Sequence, residues 1–544
     1  MKKNQVDVIT REVIRGGLEF IAEEMGIILR NAAYSTNIKE RMDHSCSLFD
    51  HQGRMIAQAE HIPVHLGAMP LTVKSIIQTF EGKIYPGDSF ILNDPYLGGT
   101  HLPDITIVTP IFYGEELVGY SVSRAHHNDI GGMAPGSMPG NATEIFQEGL
   151  RIPPVKIVRK GVVNNDILNI IMLNSRTPKI RKGDLMAQLS ANWIGEKRLI
   201  ELIERKGLEI FKLAVDDVLN YSEKRFLTII EKFPDMEAEG IDYMDGDGIS
   251  DERIKLAVKV SKVKDHLTFD FTGTSKQVQG AVNCPFAVTL SGAYFVLRSI
   301  TDPTIPANEG LYRHLTVIVP EGTVLNAQPP AAVVGGNVET SQRVVDTLLK
   351  AFSSIIPEKI PAASQGTMNN IIIGGMKENN QQFTFYETIG GGTGGTPSKD
   401  GVDGIHSNMT NTMNTPIEEI EARYPLKVLE YSLRNNSSGA GKHRGGIGIV
   451  RVFKTEVPVV VSLLGERQKT APWGLLGGKA GKQGEYYKIT QDDKRITLAG
   501  KSTTTLAEGE IIVIETPGGG GWGKSIERAK NLIEEDSIDD KVEK

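Results

Sequence analysis

Apolar residues recur at three- and four-residue intervals from Val8 to Leu29, through Val13, Ile14, Leu18, Ile21 and Met25. That spacing predicts one long amphipathic helix over 6–33, weakened locally at Gly16 and Gly17. From Pro86 the pattern changes to short apolar runs separated by Gly and Pro. Residues 105–112 (ITIVTPIF) and 117–124 (LVGYSVSR), joined by Tyr113-Gly114-Glu115-Glu116, predict a β-hairpin with Pro110 at an edge or bulge. Leu and Ile at helical spacing among Lys and Glu predict helices through 165–233. A β-rich stretch follows from about 237 (IKLAVKVSKV, HLTFDFTG), with helices expected at 286–300 and 337–356. From about 440 the chain is Gly-rich with short strands (GIVRVFK, VPVVVSLLG, EIIVIETP), and the last twenty residues predict a charged, peripheral helical tail.

These patterns add up to a mixed α+β, multidomain protein. It has an N-terminal helix and hairpin region, a helical middle segment and β-rich C-terminal regions. The expected divisions are 1–160, 161–236, 237–440 and 441–524, with a charged tail at 525–544, against the three or four units that 544 residues suggest. A net charge of -7 argues against a nucleic-acid surface. Cys46 and Cys284 are too few for a disulfide framework or thiolate cluster. No apolar run approaches the ~18 residues of a membrane helix. The opening MKKNQVDVITRE lacks the apolar region of a signal peptide. The expectation is a cytoplasmic protein with no nucleic-acid or membrane partner.

Seven of the eleven histidines (His44, His51, His61, His65, His101, His126, His127) fall between residues 44 and 127. If the hairpin turns at 114–115, cross-strand partners have numbers summing to about 229 or 230, which sets Asp104 opposite Ala125 or His126. His101 lies three residues before Asp104 in a Gly-rich approach (Asn93-Asp94-Pro95-Tyr96-Leu97-Gly98-Gly99-Thr100). One carboxylate and two imidazoles with open positions suit a catalytic Zn, Mn or Fe ion. A register slip of one residue exchanges His126 for His127. His61-Ile-Pro-Val-His65 has helical zinc spacing, but Pro63 argues for a loop lining a site, with Glu60 beside it. Glu40, Arg41, Asp43 and His44 form a charged cluster equally suited to ion pairing.

The run Gly518-Gly519-Gly520-Gly521-Trp522-Gly523-Lys524-Ser525 satisfies the phosphate-loop pattern after a strand-like segment. Too little of the sequence follows for the sheet such a loop needs, so a Gly-rich turn beside a closing strand is expected instead. Asp245-Gly246-Asp247-Gly248 fails as a calcium loop, because alignment on its Gly places Tyr243 and Ile254 at ligand positions. No G-x-S-x-G elbow occurs, and Cys46 is expected to be buried and inert. The 58 glycines, about 11% against a usual ~7%, still lack a function on this reading.

The motifs resemble the hydantoinase B/oxoprolinase family over nearly the whole chain. The resemblance is carried by Glu40-Arg-Met-Asp43, His61-Ile-Pro-Val-His65-Leu-Gly, Asn93 to Asp104 and Arg124-Ala-His-His-Asn-Asp129-Ile-Gly-Gly. Further matches are Pro135-Gly-Ser-Met138, Gln147 to Pro154, Asn308-Glu-Gly310, Gly335 to Arg343, Thr410-Asn411, Gly445-Gly446 and Thr516 to Gly521. The segment Asn435-Asn436-Ser437-Ser438-Gly439 is less Gly-rich than the family pattern. The resemblance implies a hetero-oligomer with a hydantoinase A-like subunit of actin-like ATPase fold. That partner would bind ATP and phosphorylate the substrate oxygen of a small lactam or ketone. It implies a divalent metal on this chain held by His101, Asp104 and His126. His127, Asp129 and Glu60 would be acid–base or supporting groups, with Asp94 and His65 lining the substrate pocket. The implied activity is ATP-dependent hydrolysis of a cyclic amide such as a hydantoin or 5-oxoproline, and the alternative is an acetone- or acetophenone-type ketone carboxylase subunit.

Overall fold

A computed structural model describes residues 6–59, 62–539 and 541. Glu60 and His61 lie outside the described residues. The N-terminal helix spans Val8–Ala32, with the Asp7 side chain accepting from the Thr10 amide to cap it. Its apolar stripe (Ile14, Leu18, Ile21, Met25, Leu29) is buried.

That helix covers one face of a seven-stranded sheet of β1 (His44–Asp50), β2 (Met55–Ala59), β3 (Ser89–Leu92), β4 (Asp104–Tyr113), β5 (Glu116–His126), β6 (Val155–Arg159) and β7 (Val162–Val163). The order is β2-β1-β5-β4-β3-β6-β7, every pairing antiparallel. The helix Pro178–Lys206 lies on the same face: Gly195 lies against Met25 and Ser121, so closely that an added Cβ would fall 2.4 Å from the Met25 sulfur. The opposite face, with Phe49, Phe90, Val108 and Val122, joins a second cluster that continues through Leu256, Val296 and Leu348 to Leu464. Burial on both faces explains why β4 reads as a continuous apolar run rather than an alternation.

The predicted hairpin forms with the expected register. Partner numbers sum to 230 from Asp104↔His126 to Ile111↔Gly119, then shift by one at a bulge between Ile111 and Phe112. The helical middle segment is three helices, Asn165–Asn174, Pro178–Lys206 and Leu208–Ile230, separated at Ser175–Thr177 and at Gly207, whose φ is +87°.

A second sheet runs Leu315–Ile318, His266–Asp270, Ile254–Val263, Met236–Met244, with helices Phe286–Ile300 and Ser341–Phe352 sharing its core. The remaining strands form two sheets that enclose one apolar core, including Ile371, Phe385, Val461, Phe453, Tyr486 and Ile512. The mixed α+β class therefore holds. The charged tail is less peripheral than expected: Asp536, on the helix Lys530–Ile538, accepts from Arg444 Nε at 2.8 Å and Arg528 Nη2 at 2.5 Å.

The glycine excess has a structural use. A Cβ on Gly519 would fall 1.9 Å from the Thr393 carbonyl oxygen, and one on Gly392 1.9 Å from that of Gly446. Gly-rich segments near 392, 446, 479 and 519 thus run against one another backbone to backbone. The amides of Gly519, Gly520 and Gly521 donate to the carbonyls of Gly446, Ala363 and Lys479 at 2.8–2.9 Å. The groups with which a phosphate loop would cradle its ligand are committed inside the protein.

Candidate metal centre

Two local structures aim the side chains of the hairpin mouth. In the approach to β4, Asp94 caps a turn of 3₁₀ helix, Pro95–Leu97, and Gly98 takes φ +95° where an added Cβ would lie 2.6 Å from the backbone of Leu71. Asn93 binds this loop down, its Nδ2 donating to the Leu102 and Leu150 carbonyls and its Oδ1 accepting from the Ile152 amide. Within the hairpin, Asp104 and His126 are direct cross-strand partners. They share the face of Val108 and Val122, turned away from the helix Pro178–Lys206.

The result is a triangle of potential ligands. His101 Nε2 lies 3.1 Å and His126 Nδ1 3.3 Å from Asp104 Oδ1, and the two nitrogens are 3.2 Å apart. Ligands about 2.1 Å from one ion are separated by about 3.0 Å in octahedral and about 3.4 Å in tetrahedral geometry, so one divalent cation fits these three atoms. His101 Nδ1 faces the Val334 carbonyl oxygen at 3.3 Å. That oxygen only accepts, which places the proton on Nδ1 and the lone pair of Nε2 toward the triangle. Glu148 Oε1 in turn accepts from the Val333 and Val334 amides at 2.7 and 2.9 Å, holding this peptide in place. His126 stacks on Tyr386, centroids 4.5 Å apart.

All three residues are closed off from solvent, with His126 the most accessible at 2%. Burial alone would raise the Asp104 carboxyl, but the surrounding imidazoles, His101 foremost and then His126 and His65, hold it well below the usual carboxylate range. Burial lowers His126, opposed by its bond to Asp104. An ionised carboxylate beside a neutral imidazole is the protonation state that a metal requires. Arg124, two residues before His126, is buried too. Its Nε and Nη2 donate to Thr106 and Thr72 hydroxyls at 2.8 Å.

The structure brings His65 to the triangle as well: its Nε2 lies 3.5 Å from Asp104 Oδ2 and its Nδ1 2.9 Å from Ser45 Oγ. It does not bring His127, Asp129 or Asp94 there. His127, one step along the chain, turns to the opposite face, where its Nε2 meets Gln188 Oε1 at 2.8 Å on the helix Pro178–Lys206. Burial, with Arg181 nearby, pushes it down to about 3. Both Asp129 oxygens accept from Arg176 and from loop amides (Gly131, Gly136). Asp94 caps its turn and pairs with Arg151 at 2.8 Å. Glu60 falls outside the described residues.

Two contacts at Asp104 escaped sequence reasoning. Thr100 Oγ1 donates to Asp104 Oδ2 at 2.5 Å and Asn337 Nδ2 approaches it at 3.4 Å. Asn337 arrives on a π-helical turn, Gly336–Thr340. Its signal in the sequence was the family-like segment Gly335 to Arg343, whose Gly336 permits the close approach: an added Cβ there would fall 1.9 Å from the Asn283 carbonyl oxygen.

Comparison with known proteins finds relatives across nearly the whole chain. The chain matches the family model described as hydantoinase B/oxoprolinase over residues 7–525. It is 48% identical to an uncharacterised protein of Methanocaldococcus jannaschii, covering 99% of this chain and 94% of the relative. Identity to 5-oxoprolinase 1 of Arabidopsis thaliana is 40% over 97% of this chain, which spans only 42% of that longer protein. A Pseudomonas protein named as a putative subunit of a D-/L-hydantoinase is 36% identical, covering 98% of this chain and 93% of the relative. Among solved structures, the ATP-dependent caprolactamase of Pseudomonas jessenii superposes with TM-score 0.93 at 30% identity, covering 99% of this chain and 95% of that one. Acetone carboxylase shares the fold, with TM-score 0.90 at 18% identity over 98% of this chain and 78% of that one. The chain belongs to the hydantoinase B/oxoprolinase family.

Proposed function

We propose that this chain is the metal-holding catalytic subunit of a heteromeric, ATP-dependent cyclic-amide hydrolase acting on a hydantoin, 5-oxoproline or a similar lactam. A hydantoinase A-like ATPase partner would bind ATP and phosphorylate the substrate oxygen, so this chain needs no nucleotide site of its own. The reading places the complex in the cytoplasm, where ATP is supplied. The observation that carries it is the closed triangle of His101 Nε2, Asp104 Oδ1 and His126 Nδ1 at 3.1–3.3 Å. Zn, Mn or Fe bound there would polarise a carbonyl or phosphoryl oxygen and lower the pKa of water.

The chain's own residues prepare the site. Val334 and Glu148 hold the His101 ring, Tyr386 holds His126 by stacking, and burial excludes bulk water from competing with substrate. His65, hydrogen-bonded to Ser45 and bordering Asp104, is the imidazole we assign to proton movement. It takes the role first expected of His127 and Asp129. A hydrolase is favoured over a ketone carboxylase because 30–40% identity links the chain to proteins named caprolactamase, hydantoinase and 5-oxoprolinase. Likeness to acetone carboxylase at 18% is a likeness of fold alone. Assay of the complex with its ATPase partner decides between them: ATP-dependent ring opening of a lactam is expected, and product only from a ketone with bicarbonate would overturn the reading.

A further inference from the structure

The two imidazoles of the triangle are held by different means. His101 is fixed through Nδ1 by the Val334 carbonyl. His126 has no such bond: with Nδ1 turned to Asp104, its Nε2 is buried and finds no hydrogen-bond partner among the described residues. A ligating imidazole ordinarily donates its second N–H to a fixed acceptor, which sets the angle of the ring. For His126 that task falls to other contacts. Its ring stacks on Tyr386, centroids 4.5 Å apart and 15° between the planes. Its amide donates to the Asp43 carbonyl at 3.1 Å, and its carbonyl accepts from Asn37 Nδ2 at 2.9 Å.

The ring contact and the Asn37 contact lead back to one residue. Arg41 is fully buried, and its five N–H bonds all find acceptors. Nε donates to the Met413 carbonyl at 3.3 Å. Nη1 donates to the Tyr386 carbonyl at 3.2 Å and to Asn37 Oδ1. Nη2 donates to the Thr388 and Thr412 hydroxyls at 2.5 and 3.3 Å. The guanidinium carbon also lies over the Tyr386 ring, 4.7 Å from its centroid. Arg41 thus touches both the ring that stacks on His126 and the side chain that holds the His126 carbonyl. None of its five acceptors is a carboxylate, so the ion pairing that the 40–44 cluster suggested is not its use. Its neighbour Met42 takes φ +55°, a left-handed conformation rare for residues with a side chain, directly before the Asp43 carbonyl that receives the His126 amide.

We infer that Arg41 is a positioning residue of the metal centre: acting through Tyr386 and Asn37, it sets the angle at which His126 Nδ1 meets the ion. The inference rests on the metal reading above and deepens it. Stacking alone lets a ring slide and turn in its own plane, whereas a metal bond needs the lone pair aimed in one direction. Holding the backbone of His126 and the face of its ring from one rigid fork removes that freedom. The planar guanidinium suits this, because it engages an aromatic face and several carbonyl and hydroxyl acceptors at fixed angles. Lysine has three donors and no plane. Thr388, Thr412 and Met413 tie the same fork to the C-terminal half of the chain, and the Met413 amide returns a bond to the Arg41 carbonyl at 3.1 Å.

The test is titration of Co(II), which takes the same nitrogen and oxygen ligands as Zn, into the metal-free full-length chain, read by visible absorption. In Arg41→Met the affinity is expected to fall at least about tenfold, as when a ligating histidine loses its support. Arg41→Lys is expected to lie between this variant and the wild type, with an altered spectrum, because the angle of a ligand changes while the ligand set does not. Tyr386→Leu, which removes the ring between Arg41 and His126, is expected to reproduce the loss and serves if Arg41→Met does not fold. Arg444→Met removes another buried arginine, one paired with Asp403 and Asp536, and is expected to keep the wild-type affinity. Wild-type affinity and spectrum in folded Arg41→Met or Tyr386→Leu overturn the inference and leave the metal site standing. An equal loss in Arg444→Met also overturns it, since the effect is then one of general stability. A wild-type chain that takes up no Co(II), Zn, Mn or Fe removes the metal reading and the inference together.

Discussion

Glu148 lies two contacts from the triangle, yet it governs how His101 presents its lone pair. Burial, opposed by the Val334 and Val333 amides, pushes its carboxyl up to about 8 from the usual 4.5. A group raised in the folded state contributes fully below its ordinary pKa, and that contribution is lost as pH rises through the folded value. Glu148→Gln keeps an acceptor for both amides and cannot ionise. Its melting temperature is therefore expected to overtake that of the wild type as pH rises through about 8, by the equivalent of about 1–3 kcal/mol. Thermal melts across pH check this, and parallel pH profiles for the two proteins would contradict it. The trio His101, Asp104 and His126 was legible in the sequence because a short hairpin ties register to residue number. His127 was the ambiguous member, and the pleat resolves it: one step along the strand changes the face, toward Gln188. Asn337 and Tyr386 were illegible because only tertiary packing carries them to the hairpin.

At the scale of elements, the contrast between Gly519 and Lys524 separates packing from phosphate binding. Gly519→Ala forces a Cβ within 1.9 Å of the Thr393 carbonyl oxygen. A loss of at least about 3 kcal/mol in stability is expected, as for severe core overpacking. Lys524 is exposed, and Lys524→Ala is expected to change stability by no more than about 0.5 kcal/mol. Denaturant unfolding of both variants measures this, and an equal response would contradict the packing account. The long helix and the hairpin followed from periodicity and turn length. The helix Ala68–Thr79, with Pro70 in its first turn, and the strands 426–434 and 501–506 did not. In the C-terminal sheets several neighbouring strands are distant in sequence, such as 370–376 beside 459–464 and 448–455 beside 511–515, so local pattern carries no information on those pairings.

At the scale of the molecule, the chain spans about two-fifths of the Arabidopsis 5-oxoprolinase it matches, and nearly all of the Pseudomonas hydantoinase subunit. A division of labour with an ATPase partner predicts that the chain alone neither binds ATP nor opens a lactam, and that adding the partner restores ring opening. Calorimetry with ATP on the isolated chain checks the first half, and saturable binding would contradict it.

The most direct test of the account is elemental analysis of the purified chain beside His101→Ala and Asp104→Asn. About one Zn, Mn or Fe ion per wild-type chain is expected, with loss of most of it in each variant that stays folded, since each removes one of three protein ligands. A wild-type chain free of metal after supplementation with all three, or variants that keep a full complement, would contradict the claim that His101, Asp104 and His126 hold a catalytic ion.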